Sequence, residues 1–125
     1  MINKDELLKI SPQALFGEEM KKHTTFRIGG PADAFVSVTC VEEVGRLISY
    51  CRESGTPYMI MGNGSNMLVS DKGIRGVVIQ IGAGMADCRI DGEKVYAEAG
   101  ILMSALANRI LDASLAGFEC ASGIP

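Results

Sequence analysis

Apolar residues recur at helical spacing from position 41 onward. Val41, Val44, Leu47, Ile48 and Cys51 are separated by 3, 3, 1 and 3 positions, one stripe of a 3.6-residue period. Thr39-x-x-Glu42 supplies a capping box ahead of the stripe, and Ser54-Gly55-Thr56-Pro57 closes it with a terminal glycine and a stop. Strand-like runs flank this helix: Ala34–Val38, β-branched and aromatic, and the short apolar segment Tyr58–Met61. Together they predict a β-α-β crossover, long enough to join two parallel strands and right-handed.

Farther along, Val77–Ile81 predicts a third strand, and Ala86–Ile90 and Lys94–Glu98 flank Asp91-Gly92, a two-residue hairpin turn. Pairing is expected to become antiparallel there. Leu102, Leu106, Ile110 and Ala113 mark the inner face of a second long helix, with Gly117 just past its end. At the start of the chain Asn3 caps a short helix, with Glu6 three residues on and Pro12 as its stop. That helix is expected to be an appendage. Leu15–Lys22 has mixed charge and no clean period, and His23–Pro31 reads as a loop. The order predicts an α+β domain with a small mixed sheet and covering helices.

Composition narrows the function. A chain of 125 residues is one small domain, and 47% hydrophobic against 22% charged residues excludes disorder as its main character. The formal net charge of −3, with no block of like charges, gives nucleic acid nothing to bind. No apolar run approaches the roughly 18–20 residues needed to cross a bilayer, and the N-terminus lacks a secretory profile. A cytoplasmic protein without membrane contact is expected. Cys40, Cys51, Cys88 and Cys120 form no C-x-x-C pair and lie far in sequence from His23, so buried reduced thiols are expected and no metal site. Glycine, at 15 of 125 residues, exceeds the usual level of about 7% and is clustered, which makes tight turns and close backbone approach a theme.

The clearest candidate site is Gly62-Asn63-Gly64-Ser65-Asn66, directly after the strand Tyr58–Met61. Alternate glycines let backbone N–H groups turn to one side and form an anion-binding nest, with donors added by Asn63, Ser65 and Asn66. The bland alternative is a plain turn between strands. A Walker loop is excluded by the absence of Gly-Lys-Ser/Thr, and a dinucleotide fingerprint by Met67 standing where its third glycine belongs. A pyrophosphate here would be held by loop amides without a helix dipole behind it. In Thr24–Pro31, Arg27 is a fixed cation and Gly29-Gly30 permits close approach to a ligand; the alternative packs Phe26 and Ile28 into the core and leaves Arg27 solvated. Ala121–Pro125 is flat enough to lie against a planar ring, or is a frayed terminus. His23 as a base lacks a carboxylate near enough in sequence to orient it, and Met59, Met61, Met67 and Met103 read as core fillers.

In combination these segments are more specific. His23-Thr-Thr-Phe-Arg-Ile-Gly-Gly-Pro-Ala-Asp33, Gly62-Asn-Gly-Ser-Asn-Met-Leu-Val-Ser-Asp71 with Gly76-Val-Val-Ile79 behind it, Ala99-Gly100 ahead of a helix, and Gly117-Phe-Glu-Cys-Ala-Ser-Gly-Ile-Pro125 resemble the UDP-N-acetylenolpyruvoylglucosamine reductase family. The resemblance spans nearly all of the chain beyond about residue 15.

It implies an FAD-binding fold of the vanillyl-alcohol oxidase and p-cresol methylhydroxylase type, with residues 1–22 as a lead-in and 23–125 as a partial FAD-binding domain. It further implies FAD as cofactor, NADPH as hydride donor and a UDP-sugar enolpyruvyl ether as substrate in peptidoglycan synthesis. By the same resemblance Gly62, Asn63, Gly64, Ser65 and Asn66 hold the pyrophosphate, while Ser122, Gly123, Ile124 and Pro125 begin a segment beside the isoalloxazine ring. The family chain continues past the position of Pro125 into a substrate domain with the proton-donating serine, so no catalytic residue is carried over. A fragment of this kind is expected to be inactive alone and to self-associate through an uncovered apolar face. Two other readings stay open: a flavin-binding segment of another oxidoreductase of this fold, and a non-catalytic ligand-binding module.

Overall fold

Val77, Val78 and Ile79 are three successive residues with no solvent exposure. Such a run needs cover on both faces of a sheet and a neighbour at both edges. The computed structural model, which describes residues 2–124, meets that need with strands β1 (Leu15–Glu19), β2 (Pro31–Val38), β3 (Tyr58–Met61), β4 (Ile74–Ile81), β5 (Cys88–Asp91) and β6 (Lys94–Ala97). The helices are α1 (Lys4–Ile10), α2 (Val41–Ser54) and α3 (Met103–Asp112). Strands β1 to β4 form one sheet in the order β1-β2-β4-β3, and β5 and β6 pair separately. The fold is therefore α+β with a small mixed sheet, as expected.

The crossover is built differently from its simplest form. Strands β2 and β3 are parallel but not adjacent, because β4 lies between them and pairs with both. The antiparallel member of the mixed sheet is β1, paired with β2 in the register Leu15↔Phe35 and Glu18↔Ala32. Its alternating half-burial carries little apolar signal, which is why Leu15–Lys22 reads as featureless. The hairpin forms a second sheet, and with Asp91 paired to Lys94 its turn is Gly92-Glu93, one residue later than expected.

The α1 segment is no appendage. Leu7 is completely buried in the helix-side core with Val36, Leu47, Val77 and Ile79, and the Tyr50 hydroxyl of α2 accepts from Asn3 N–H at 2.8 Å. Asn3 is the α1 cap, accepting from Glu6 N–H at 3.3 Å. On α2 the capping interaction is shifted by one position. Glu43, rather than Glu42, takes the Thr39 N–H at 3.0 Å and hydroxyl at 3.3 Å. Val41 is 67% exposed and lies off the stripe, which runs through Leu47, Tyr50 and Cys51. In α3 the buried residues are Leu106, Ala107 and Ile110, while Leu102 precedes the helix and is exposed.

The opposite face of the sheet carries Met20, Ala32, Phe35, Met61, Val69 and Val78, with Met59 and Met67 packed against them. Among the described residues its cover is a short 3-10 turn, Met20–Lys22, and loop, residues 23–30 and 62–73, with no α-helix.

Candidate functional site

The parallel strands β2, β4 and β3 place their carboxyl ends, Val38, Ile81 and Met61, along one side of the sheet. That is the side on which open α/β sheets hold ligands. Gly62–Asn66 begins there. Gly64 is buried at φ +73°, a left-handed conformation that glycine adopts without a steric penalty. A Cβ at Gly64 would overlap the His23 carbonyl, and the Gly64 carbonyl accepts from Thr25 N–H at 3.1 Å. The loop also folds on itself, since Ser65 N–H donates to Asn63 Oδ1 at 3.1 Å in an Asx turn. The Ser65 amide is thus used internally. Among the described residues, the N–H groups of Asn63, Gly64 and Asn66 donate to no protein acceptor, as an anion nest requires.

Two hollows of opposite character meet at this loop. Asn63 and Gln80 line both. Gln80 is held in place by Ser37 Oγ, which donates to its Oε1 at 2.7 Å, and by Gly62 O, which accepts from its Nε2 at 3.4 Å. The first hollow, about 700 Å³, is polar and carries Lys21, Lys22, Thr24, Thr25 and Arg27. Lys21 pairs with Glu19 at 2.9 Å and Lys22 with Glu18 at 3.7 Å, whereas Arg27 has no ion-pair partner among the described residues. Arg27 stands at φ +56°, which is costly for a residue with a Cβ. The second hollow, about 990 Å³, has a wall of small and apolar residues, among them Ala83, Ala86, Gly100, Ile101 and Met103, with Asn108, Arg109 and Asp112 at its α3 side. Gly100 N–H donates to Met85 O at 2.8 Å, and a Cβ at Gly100 would overlap the Gly82 carbonyl.

A long ligand with an anionic middle fits this arrangement. Its anion would meet free amides and a free guanidinium, while a flat apolar end would lie on the small-residue wall.

The second candidate loop is put to a different use. Gly29 and Gly30 approach protein rather than ligand: a Cβ at Gly29 would press on Val69, and one at Gly30 would overlap the Asp71 carbonyl. Gly30 N–H donates to Ser70 O at 2.9 Å. Phe26 and Ile28 are 55% and 48% exposed, so neither packs into the core. His23 does have a carboxylate partner, five residues upstream, with Nε2 at 2.9 Å from Glu18 Oε1. Strand β1 brings the two together, and with β1 unrecognised the pair had no visible basis. Gln80 was also missed, although a lone amide in Val-Val-Ile-Gln-Ile is a signal of its own.

Ser122, Gly123 and Ile124 follow a 3-10 turn at Glu119–Ala121 and are exposed. Neither hollow is lined by them. Pro125 lies outside the described residues.

At the amino ends of the strands a third hollow of about 610 Å³ contains Lys4, Asp33 and Arg75. Its guanidinium is consumed by Asp33 at 2.7 Å and by the Pro31 and Lys72 carbonyls. All four cysteines are free, and only Cys51 is fully buried. Burial pushes its thiol up from the ordinary value. Among the described residues no three His, Cys, Asp or Glu side chains group to hold a metal, and no helix is long and apolar enough to cross a membrane.

Residues 32–125 match the family model for the FAD binding domain. The chain belongs to that family. The cofactor expected from the sequence, FAD, is the one for which the family is named. A relative from Alkaliphilus metalliredigens (strain QYMF), named UDP-N-acetylenolpyruvoylglucosamine reductase, is 51% identical over 119 residues, covering 90% of this chain and 39% of its own length. A relative of the same name from Heliobacterium modesticaldum is 49% identical over 108 residues, covering 86% of this chain and 34% of its own. The chain thus spans about two fifths or less of the curated relatives it matches.

The crystal structure of UDP-N-acetylenolpyruvylglucosamine reductase (MurB) from Thermus caldophilus aligns with a TM-score of 0.68 at 32% identity, over 90% of this chain and 38% of that one. p-Cresol methylhydroxylase aligns with a TM-score of 0.55 at 20% identity, over 92% of this chain and 22% of its own. At that identity the likeness concerns the fold, which is the one the sequence resemblance implied.

Proposed function

We propose that this chain is the FAD-binding portion of a cytoplasmic UDP-N-acetylenolpyruvoylglucosamine reductase. The observation that carries the reading is the glycine loop Gly62–Asn66 after β3, in which the N–H groups of Asn63, Gly64 and Asn66 have no protein acceptor among the described residues and Asn63 lines both hollows. We assign the FAD pyrophosphate to the amides of Asn63, Gly64 and Asn66, with Gly62 and Ser65 shaping the turn and Arg27 adding charge. The flat end of the cofactor is assigned to the small-residue wall around Gly100. Placing Ser122, Gly123, Ile124 and Pro125 beside the ring rests on the family resemblance alone.

Bound FAD supplies the relay of a hydride from NADPH to the enolpyruvyl ether of the UDP-sugar. This chain's residues bind and orient the cofactor, and we assign none of them a catalytic step. The exposed Phe26, Ile28 and Leu68 support self-association of the isolated chain, which sedimentation over a concentration series tests.

Titration with FAD, followed by flavin fluorescence quenching with ADP and FMN as competitors, tests the main reading. Saturable binding competed by ADP is expected, because ADP retains the diphosphate. A chain that binds no FAD overturns the assignment of the site to these residues alone.

A further inference from the structure

We propose that His23 is a positioning residue for the glycine loop, holding Gly64 through its own backbone rather than by touching a ligand. The side chain is pinned to the sheet in two directions. Its ring stacks on Phe35 of β2, with centroids 3.9 Å apart and planes at 20°, and its Nε2 hydrogen-bonds Glu18 Oε1 of β1 at 2.9 Å. Phe35 is buried, and Glu18 is fixed by the β1–β2 ladder opposite Ala32.

The backbone of the same residue bears on the loop. Its carbonyl occupies the space that a Gly64 Cβ would need, and its N–H donates to Met20 O at 2.9 Å. Two residues on, Thr25 N–H holds the Gly64 carbonyl at 3.1 Å, and Thr24 Oγ1 donates to Ile28 O at 3.2 Å. Residues 23–30 have no regular structure of their own. Beside the Gln80–Gly62 bond from β4, the imidazole therefore ties the sheet to the segment that clamps Gly64: anchored on β1 and β2, it limits the motion of the His23 carbonyl and the Thr25 amide. The inference rests on the reading of this loop as the pyrophosphate site and adds what keeps that site in shape.

Residue-resolved amide hydrogen exchange of the chain tests it without any ligand. In His23→Ala the Thr25 N–H should exchange about tenfold faster, with the Val78 and Ile79 amides within about twofold of the parent chain. His23→Phe keeps a ring on Phe35 but loses the Glu18 bond, and should accelerate Thr25 by a smaller factor. Glu18→Gln keeps an acceptor for the imidazole and should stay near the parent rate. Equal acceleration at Thr25 and in β4, which marks a merely structural role, overturns the proposal. So does an unchanged Thr25 rate in His23→Phe, the variant that decides if His23→Ala does not fold.

FAD titration of the same proteins separates this inference from the one beneath it. Where the parent chain binds FAD, His23→Ala should weaken binding about tenfold, in proportion to the local opening. A parent chain that binds no FAD while Thr25 exchange still follows His23 removes the flavin reading and leaves the positioning role standing.

Discussion

The two faces of the four-stranded sheet are covered by different physics. On one, α1 and α2 lay Leu7, Leu47 and Cys51 over Val36, Val77 and Ile79, and the cover is side chain on side chain. On the other, two loops are held down by backbone. Gly30 sits on the Asp71 carbonyl, Gly73 on that of Pro31 and Gly64 on that of His23, each where a Cβ would overlap. A helical face stores its stability in buried volume and can repack around a similar side chain. The loop face also buries Met20 and Val69 against Phe35 and Val78, but at its glycines the fit is carbonyl against Cα, with no side-chain volume there to exchange. That face also bears the candidate site, where the N–H groups of Asn63, Gly64 and Asn66 have no protein acceptor among the described residues.

The largest effect should come from one added side chain on the loop face. Gly73→Val combines φ +80° with overlap of the Pro31 carbonyl, and should cost about 3–5 kcal/mol in urea unfolding, from strained backbone plus overpacking. Leu47→Ala on the helical face should cost about 3 kcal/mol by leaving a cavity. Leu47→Met, which conserves volume, should cost less than about 1.5 kcal/mol. A Gly73→Val chain as stable as Leu47→Met would break the contrast between the faces.

That contrast also explains what was legible in the sequence. Helical cover announces itself by period, so α2 and the start of α3 are readable to within a residue or two, although α3 ends at Asp112, well short of Gly117, and leaves Ala113 exposed; the apolar run Val77–Ile81 marks the centre of the sheet. Loop cover announces only that glycines are present, not what approaches them. Gly29-Gly30 thus suggested a ligand, when the approaching groups are Val69 and Asp71. Phe26 and Ile28 suggested core and are exposed, because Gly29 and Gly30, not the apolar side chains beside them, seat the loop on the sheet. The glycine loop itself was legible because alternate glycines after a strand constrain backbone and chemistry together. Its partners Gln80, Glu18 and the clamp at His23 depend on pairing and register, which local pattern does not carry.

A smaller effect should appear on the helical face as pH falls. Burial pushes the Glu43 carboxyl up, but hydrogen bonds from Ser11, the Thr39 N–H, Gln13 and the Thr39 hydroxyl outweigh it and hold the group below its ordinary value. The Ser11 hydroxyl donates to it at 2.6 Å. A carboxyl lowered by folding stabilises the protein above the unfolded-state value, about 4.3 for glutamate, and loses that contribution as pH falls through the folded value. Glu43→Gln should cost about 1–3 kcal/mol at neutral pH, since an amide cannot accept every one of these donors. Once the pH has fallen below the lowered folded-state value, the two chains should converge. Urea unfolding at a series of pH values checks this, and a gap that persists unchanged into acid would mean that Glu43 acts by shape rather than charge.

The smallest effect on stability should carry the most information about the site. Arg27 holds φ +56° on the loop face with no ion-pair partner among the described residues. Its backbone cost, about 1–2 kcal/mol for a residue with a Cβ, is therefore not offset by a carboxylate. Arg27→Gly removes that cost but adds the freedom of glycine in the unfolded chain, so stability should rise by no more than about 1 kcal/mol. FAD affinity should move the other way, falling about three- to tenfold with loss of a charge-assisted contact. Opposite signs in the two measurements would identify the strain as a feature kept for binding. Equal affinity would make Arg27 a solvated loop residue and leave the anion to the amides of Asn63, Gly64 and Asn66, so this substitution separates charge from backbone at the loop.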